Sequence, residues 1–223
     1  MQKKQLKLLV RKLVSEAVST ESRPVSSSRI DEALNKVIED ESLYVKISRR
    51  PSRIILIELI RKNVDNESAV SFIELSQGTD SPCLGAWMIK MAFSREKGYS
   101  WGRLLYHIAM EKLGKIMPDR DFVSDDAKKI WDEFFNGQEV SRWQLDDIVN
   151  TLTPEEDDNC QLAFPGNPLE DYEDEWYNKK DLNKKKTRTK FLQSPLSGAY
   201  GKESQDIIKK LKENNKLVDE SGF

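Results

Sequence analysis

The fold is decided by residues 86–114, which read AWMIKMAFS, then REKGYSWG, then RLLYHIAMEKLG. The run at 86–93 is almost entirely apolar or β-prone, and it has the length of a strand that is covered on both faces. Two glycines predict a turn at 98–102, and apolar residues then recur at helical spacing until Gly114. The stretch therefore predicts a strand, a glycine-bearing turn and a helix.

The predicted turn is suited to an anion. A strand that ends in such a turn and opens a helix points several free backbone N–H groups at one place, and the positive end of the helix dipole adds to them, so phosphate is the expected ligand. The amides of 98–102 would do most of the binding, and Lys97 and Arg103 could add charge-assisted contacts. Arg95 is assigned partly to fixing the loop. An ordinary strand–turn–helix that binds nothing is the alternative interpretation.

The same residues resemble a known motif. REKGYS at 95–100, followed by two leucines at 104–105, resembles the acyl-CoA-binding motif of the GCN5-related N-acetyltransferases (GNATs), Gln/Arg-x-x-Gly-x-Gly/Ala. The segment GYSWGRLLYHIAMEK is more specifically similar to acetyltransferase-like proteins of tailed bacteriophages. This similarity extends over roughly residues 40–140. The resemblance implies an α+β fold, with a GNAT-like mixed, mostly antiparallel sheet flanked by helices. It also implies acetyl-CoA as the cofactor, its pyrophosphate on the turn and its pantetheine arm along the preceding strand.

The resemblance assigns ten residues to the cofactor: Met88, Met91, Arg95, Lys97, Gly98, Tyr99, Ser100, Trp101, Gly102 and Arg103. Ser100 stands where the family usually has Gly or Ala. A left-handed backbone there would cost about 1–2 kcal/mol, or about five- to thirty-fold in affinity, whereas a helical φ would avoid that cost. Trp101 could cover the adenine or pack under the helix, and packing is the favoured interpretation.

Amine acetylation needs a polarised thioester carbonyl, a base and an acid. Free amides of the central strand near 88–91 could polarise the carbonyl. Glu74 and Glu58 are the base candidates, because the family often keeps a carboxylate on an adjacent strand; as strand residues they could equally face solvent. The match to the family's fourth helix places Trp131 where many members have a tyrosine that protonates the CoA thiolate. Indole is too weak an acid for that role, so either another residue is the acid or no acetyl group is transferred.

Two further residues of the central helix carry polar groups. Tyr106 is expected to pack rather than to act in catalysis, and His107 is expected to lie at the surface. With one histidine and two cysteines in the chain, the sequence gives no support for a zinc site. Cys83 and Cys160 are expected to be free thiols.

The flanking elements follow from periodicity and capping. Strands are expected at 43–48, 53–60, 68–75 and within 115–123, with Val70 and Phe72 facing the core. A capping box at 28–31 predicts a helix to about Asp40, and Ser124 and Gly137 bound another. A helix is expected at 141–152, a last strand at 160–166, a hairpin turn at 77–82 and a final helix at 202–214.

The domain organisation predicted from composition has three parts: an amphipathic helix and linker at 1–22, a GNAT-like domain at 23–165, and a charged C-terminal extension with a short helix at 166–223. The helix at 3–18 could lie on its own domain, a second copy, a partner protein or a membrane surface. The extension, acidic and then basic, is interpreted as an extended arm that stays solvated, wraps a neighbouring subunit or touches nucleic acid. We expect a protein partner or self-association through 1–18 and 166–223, without membrane or nucleic acid.

Length, charge and composition limit the cellular location that we expect for this protein. The chain has 223 residues, a net charge of −2 and 33% charged residues, and no run of 18 apolar residues. We therefore expect a protein of the host cytoplasm or the virion, neither secreted nor transmembrane. Two functions stay open: a phage-encoded acyltransferase that acetylates an amine, perhaps on a protein, and a catalytically inactive GNAT-like virion or assembly protein.

Overall fold

The computed structural model describes residues 25–64, 66–77, 86–119, 123–144 and 195–222. The helices are α1 (Val25–Glu39), α2 (Trp101–Leu113), α3 (Asp125–Asn136) and α4 (Asp206–Glu213). The strands are β1 (Leu43–Arg50), β2 (Ile54–Lys62), β3 (Glu67–Ser76), β4 (Ala86–Ser94), β5 (Lys115–Met117), β6 (Ser141–Gln144), β7 (Gly198–Gly201) and β8 (Leu217–Glu220). No helix among these residues is both long enough and apolar enough to cross a membrane.

The strands form one mixed sheet of eight, in the order β6-β7-β5-β4-β3-β2-β1-β8. β1 to β4 are antiparallel neighbours in chain order, and β7 lies antiparallel between β5 and β6. Among the described strands, only β4 with β5 and β1 with β8 are parallel. The prediction of an α+β fold with a mixed, mostly antiparallel sheet is confirmed.

The core lies between this sheet and the helices. α2 packs against β2, β3 and β4, and α1 packs against α2 and β1. Their apolar faces cover the alternating buried residues of the first three strands: Leu43, Val45, Ile47, Ile55, Ile57, Leu59, Ile73 and Leu75. The strand predicted at 86–93 and the helix predicted from Trp101 to a stop at Gly114 are confirmed, at Ala86–Ser94 and Trp101–Leu113.

α3 joins the core through an aromatic cluster. The Trp131 ring lies 5.2 Å from that of Tyr106 and 5.4 Å from that of Tyr200, and Phe134 contacts all three rings. The Ser124 hydroxyl accepts a hydrogen bond from the Ala127 N–H at 3.3 Å, as expected of a helix cap. The predicted bounds of this helix are confirmed.

The extended-arm prediction is wrong for residues 195–222. β7 is inserted inside the sheet, β8 pairs with β1 at its far edge, and α4 packs against α2. The helix expected at 202–214 is present as α4, and its three apolar residues are all buried. This part of the chain therefore completes the domain that was expected to end at 165.

The fifth strand, expected within 115–123, is present at Lys115–Met117. Three smaller predictions are wrong. α1 begins at Val25, three residues before the expected cap, and 141–144 is a strand rather than a helix. Phe72 lies outside the core because the β2–β3 register shifts between Leu59 and Ile60 and reverses the alternation. The expected helix at 3–18, the strand at 160–166, the cysteines, the segment 166–194 and most of the turn at 77–82 lie outside the described residues.

Candidate functional site

β4 has an edge that its neighbour leaves open. β5 pairs with β4 only at 86–88, whereas β4 continues to Ser94. Over 89–94 the side of β4 away from β3 has no strand partner among the described residues. Five steps of about 3.3 Å give an open edge of about 17 Å. This edge can offer backbone N–H and C=O groups to an extended ligand.

A cleft, the β4 cleft, runs along this edge. Its inner part, a cavity of about 240 Å³, lies between residues 89–92 of β4 and residues Val123, Ser124, Ala127 and Trp131 at and near α3. Its outer part continues past 92–94 to the turn and the start of α2. Four residues line both parts: Ala92, Tyr106, Ser124 and Ala127. The strand edge and the turn therefore open into one continuous cleft.

The turn presents free helix amides to the outer part of the cleft. The Leu104 N–H donates to the Ser100 carbonyl at 3.1 Å, so the N–H groups of residues 101–103 have no intrahelical acceptor. Gly98 has φ 88°, and Ser100 has φ 57° and ψ 24°. Ser100 therefore adopts the left-handed backbone that costs a non-glycine residue about 1–2 kcal/mol.

Glu96 fixes the turn. Its carboxylate accepts two hydrogen bonds from the Arg61 guanidinium, one of them at 3.3 Å, and another from the Trp101 Nε1 at 3.3 Å. The side chain of Arg95, to which this task was partly assigned, is exposed, and only its backbone N–H is held, by the Val70 carbonyl at 2.9 Å. Sequence reasoning missed Glu96 because its partner lies on another strand.

Arg103 is not available as a phosphate contact in this arrangement. Its guanidinium makes two hydrogen bonds to Glu133 of α3, one at 2.6 Å, and this pairing raises the pKa of Arg103. Lys97 is exposed beside the cleft and near Asp126, which pairs with Lys129 at 2.9 Å. Of the two cations assigned to phosphate, Lys97 is thus the one positioned to approach it.

Trp101 packs rather than covers a ligand. Its side chain is 1% exposed, and the Tyr99 ring stacks on it at 5.3 Å. The Lys36 ammonium of α1 lies 3.6 Å from the centre of the Tyr99 ring. The favoured interpretation of Trp101 is therefore confirmed.

The two methionines assigned to the cofactor differ. Met88 is buried where β4 pairs with β5, whereas Met91 is 54% exposed and lines the cleft. Lys90, between them, is the extra residue of a bulge, because Glu74 pairs with Met91 and the next residue of β3 pairs with Ile89. The bulge lies at the inner end of the cleft.

The two base candidates lie together, away from the cleft lining. Glu58 pairs with Phe72 and Glu74 with Met91, so both carboxylates project from the sheet face that also carries Phe93. Burial raises the pKa of Glu58, against the opposing effect of Arg50 and Lys46. Glu74 is directly across from cleft residue Met91, whereas Glu58 is one strand further away. Their assignment as bases stays a prediction.

His107 is not at the surface, as had been expected, but is 2% exposed. α3 covers it, since its ring lies 5.3 Å from that of Phe134. Its Nδ1 and the Glu139 Oε1 are sealed from solvent without a hydrogen-bond partner in the described part of the chain. Both residues line one small cavity of about 10 Å³, room for roughly one water molecule.

Lowering the pH is expected to destabilise the protein through His107. Burial, aided by the charge of Lys202, lowers the pKa of this imidazole from 6.5 to about 3. Between these values the unfolded chain binds more protons than the folded chain. The contribution of His107 to the free energy of unfolding is therefore complete above pH 6.5 and is lost as the pH falls toward 3. From pH 6.5 to 4.5 the free energy of unfolding decreases by about 2 kcal/mol through this group.

Urea unfolding of the wild type and of His107→Leu at both pH values measures this contribution. The variant has no imidazole to protonate. Its free energy of unfolding should therefore decrease by about 2 kcal/mol less than that of the wild type between pH 6.5 and 4.5. Equal losses in the two proteins would contradict the prediction.

Comparisons of the chain with protein-family models, with curated proteins and with solved structures found no match.

Proposed function

We propose that this chain is a GNAT-like acyltransferase of the kind encoded by tailed bacteriophages, binding acetyl-CoA in the β4 cleft and acetylating an amine, possibly on a protein. The observation that carries the proposal is the divergence of β5 from β4 after Met88, which opens a strand edge that leads to the free amides of 101–103. A strand edge of about 17 Å suits the extended pantetheine arm, whose two amide groups can pair with backbone. The helix start suits the pyrophosphate.

The chemistry assigns a task to each part of the cleft. Acetyl-CoA, when bound, supplies an activated acyl group. Backbone N–H groups of β4 that face the open edge beyond Met88 would polarise its carbonyl oxygen. Glu74, across from Met91, would take the proton that the attacking amine loses. The turn and Lys97 would hold the phosphates and so fix the thioester in place.

A second function, a catalytically inactive GNAT-like assembly protein, is favoured by Trp131. This residue stands where the resemblance calls for an acidic tyrosine, and it is packed into an aromatic cluster with 1% exposure. The engagement of Arg103 by Glu133 also removes one expected phosphate contact. In that function the neighbours would be bound through 1–18 and 166–223, of which 195–222 belongs to the folded domain.

Isothermal titration calorimetry with CoA tests the first function. We expect micromolar binding, about −8 kcal/mol. Ala127 lines both parts of the cleft and is only partly buried, so Ala127→Trp should block the cleft and abolish binding. Asp132→Trp, on an exposed position of the same helix, is the matched control and should bind like the wild type. Absence of binding at millimolar CoA, or unchanged binding by Ala127→Trp, would contradict the proposal.

A further inference from the structure

We propose that the outer face of the sheet, which is the face of β1 to β4 and β8 opposite α1 and α2, is the docking surface for residues 3–18 of the same chain. These residues would bind as an amphipathic helix, with the apolar stripe against the face and the basic side chains near its carboxylates. The inference does not rest on the acyltransferase function. It selects the chain's own domain from the four surfaces that the sequence left open for this helix.

The outer face carries a row of side chains that crosses five strands. The strand registers place the members of the row next to one another in the order Phe93, Phe72, Glu58, Lys46 and Val218. The two phenylalanine rings are in contact, with centres 5.7 Å apart. Four strand spacings of about 4.8 Å make the row about 19 Å wide. Residues 3–18 would form a helix about 24 Å long, which is enough to cover the row.

Exposed apolar surface is concentrated on this face. Among the described residues, the exposed large apolar side chains are Val64, Met91, Phe93, Tyr99 and Val218. Three of them lie on the outer face: Met91 is 54% exposed, Phe93 47% and Val218 40%. The inner face differs, because α1 and α2 pack on it and its apolar residues are buried. A cluster of exposed large apolar side chains on one face is typical of a binding surface.

The charges of the face and of the segment are complementary. Glu58 lies in the row itself, and Glu74 projects from the same face of β3. Of the two cations that act on Glu58, Lys46 is paired with Glu220 at 3.1 Å. Residues 3–18, KKQLKLLVRKLVSEAV, contain five cations and one carboxylate. A basic helix would therefore find carboxylates beside the apolar side chains that it covers.

The segment is attached within reach of the outer face. Arg29, near the start of α1, lines one cavity together with Gly98 and Tyr99 of the turn. Phe93, the first member of the row, is near the end of β4, just before the same turn. The chain therefore enters α1 close to one end of the row. Residues 19–24 can span about 20 Å when extended, which allows 3–18 to pass around the turn.

Oxidation of Met91 by hydrogen peroxide, followed by peptide mass spectrometry, tests the docking in the full chain. Met91 is 54% exposed, whereas Met88, Met110 and Met117 are at most 3% exposed. Among the described methionines, peroxide should therefore react with Met91 first. A docked helix would cover this side chain. The measurement is made without CoA, because Met91 also lines the β4 cleft.

Two variants of the segment form a matched pair. Leu13→Asp places a carboxylate in the apolar stripe, and Ser15→Asp adds the same charge on the opposite side of the predicted helix. We expect Met91 to be oxidised about tenfold more slowly in the wild type than in Leu13→Asp, as a docked fraction of about nine-tenths would give. Ser15→Asp should behave like the wild type.

Two variants of the folded domain test the charge of the surface. Glu58→Lys should speed the oxidation of Met91, because the new cation repels the basic segment. Glu41→Lys makes the same change at an exposed position before β1 and should leave the rate unchanged. Equal rates in these two variants would contradict the charge complementarity on which the choice of occupant rests.

The outcomes separate the chain's own helix from other occupants. Equal oxidation of Met91 in the wild type and in Leu13→Asp would overturn the proposal. Protection that grows with protein concentration would also overturn it, because the helix would then come from a second copy. Oxidation of Met88 or Met110 would show that a variant is unfolded. The wild type then decides alone: a rate for Met91 within about threefold of that of free methionine would mean that the face is open.

Discussion

Deleting residues 195–223 is expected to unfold the whole domain. Four aliphatic side chains of this segment are buried: Leu196, Ile207, Ile208 and Leu211. Each contributes about 1.5–3 kcal/mol by burial, so their loss removes about 6–12 kcal/mol, which is comparable to the total stability of a typical domain. The deletion also strips β7 from between β5 and β6 and β8 from the edge of β1.

Circular dichroism and urea unfolding of the truncated chain measure this effect, and we expect no cooperative transition. The full chain carrying Lys209→Ala, a change at an exposed position of α4, is the control and should stay within about 0.5 kcal/mol of the wild type. A truncated chain that keeps a cooperative transition near the wild-type midpoint would show that 195–223 is an appendage after all.

The parts of the fold that sequence reasoning predicted are those whose signals are local. Long alternating or apolar runs gave β1 to β4, helical periodicity with a closing glycine gave α2 and α3, and α3 also had a cap. In these elements the residue pattern and the burial agree at most positions, with Phe72 of β3 and His107 of α2 as exceptions. Trp131 and Phe134, for instance, recur at helical spacing and are both buried.

The missed elements are short and depend on distant partners. β7 has the sequence GAYG, which is typical of a turn. Its glycines are required because neighbouring atoms lie too close to leave room for a side chain. A Cβ on Gly201 would lie 2.7 Å from the Gly114 carbonyl oxygen and 3.0 Å from the Trp143 ring. β6 and β8 have four residues each, too few to show a period. Their pairing is set by tertiary contacts that a sequence pattern does not display.

The candidate site also has features that follow from the local sequence and features that depend on distant residues. The turn, its glycine at 98 and the free amides of 101–103 follow from the local pattern. The partners that decide which side chains stay available come from elsewhere: Glu133 binds Arg103, and Arg61 holds Glu96. Tyr106 was expected to pack, and its 1% exposure confirms this, but periodicity does not show that it also lines the cleft.

Replacing Glu111 by alanine is expected to cost about 3–5 kcal/mol of stability, because it leaves a buried charge without its partner. The Glu111 carboxylate is fully buried in α2 and accepts hydrogen bonds from the N–H groups of Ile207 and Ile208, at 2.9 Å and 3.0 Å. It also pairs with the Lys202 ammonium at 3.2 Å. The cap residue of α4, Gln205, makes no side-chain capping bond of its own. Glu111 thus caps α4 from another helix, and its negative charge interacts favourably with the positive end of the α4 dipole.

Urea unfolding of a graded series separates the two tasks of this carboxylate. Glu111→Gln keeps an acceptor oxygen for the amides but loses the charge that faces Lys202, so it should cost less than Glu111→Ala. Combining Glu111→Gln with Lys202→Met removes both charges, and the pair should cost less than the sum of the single changes, because neither charge is then left buried alone.

Hydrogen exchange should show the amides of 207 and 208 losing protection first in Glu111→Ala, since these donors lose their acceptor. A cost below 1 kcal/mol for Glu111→Ala would mean that α4 is held by its apolar face alone, and the coupling between α2 and the C-terminal segment would then not run through this carboxylate.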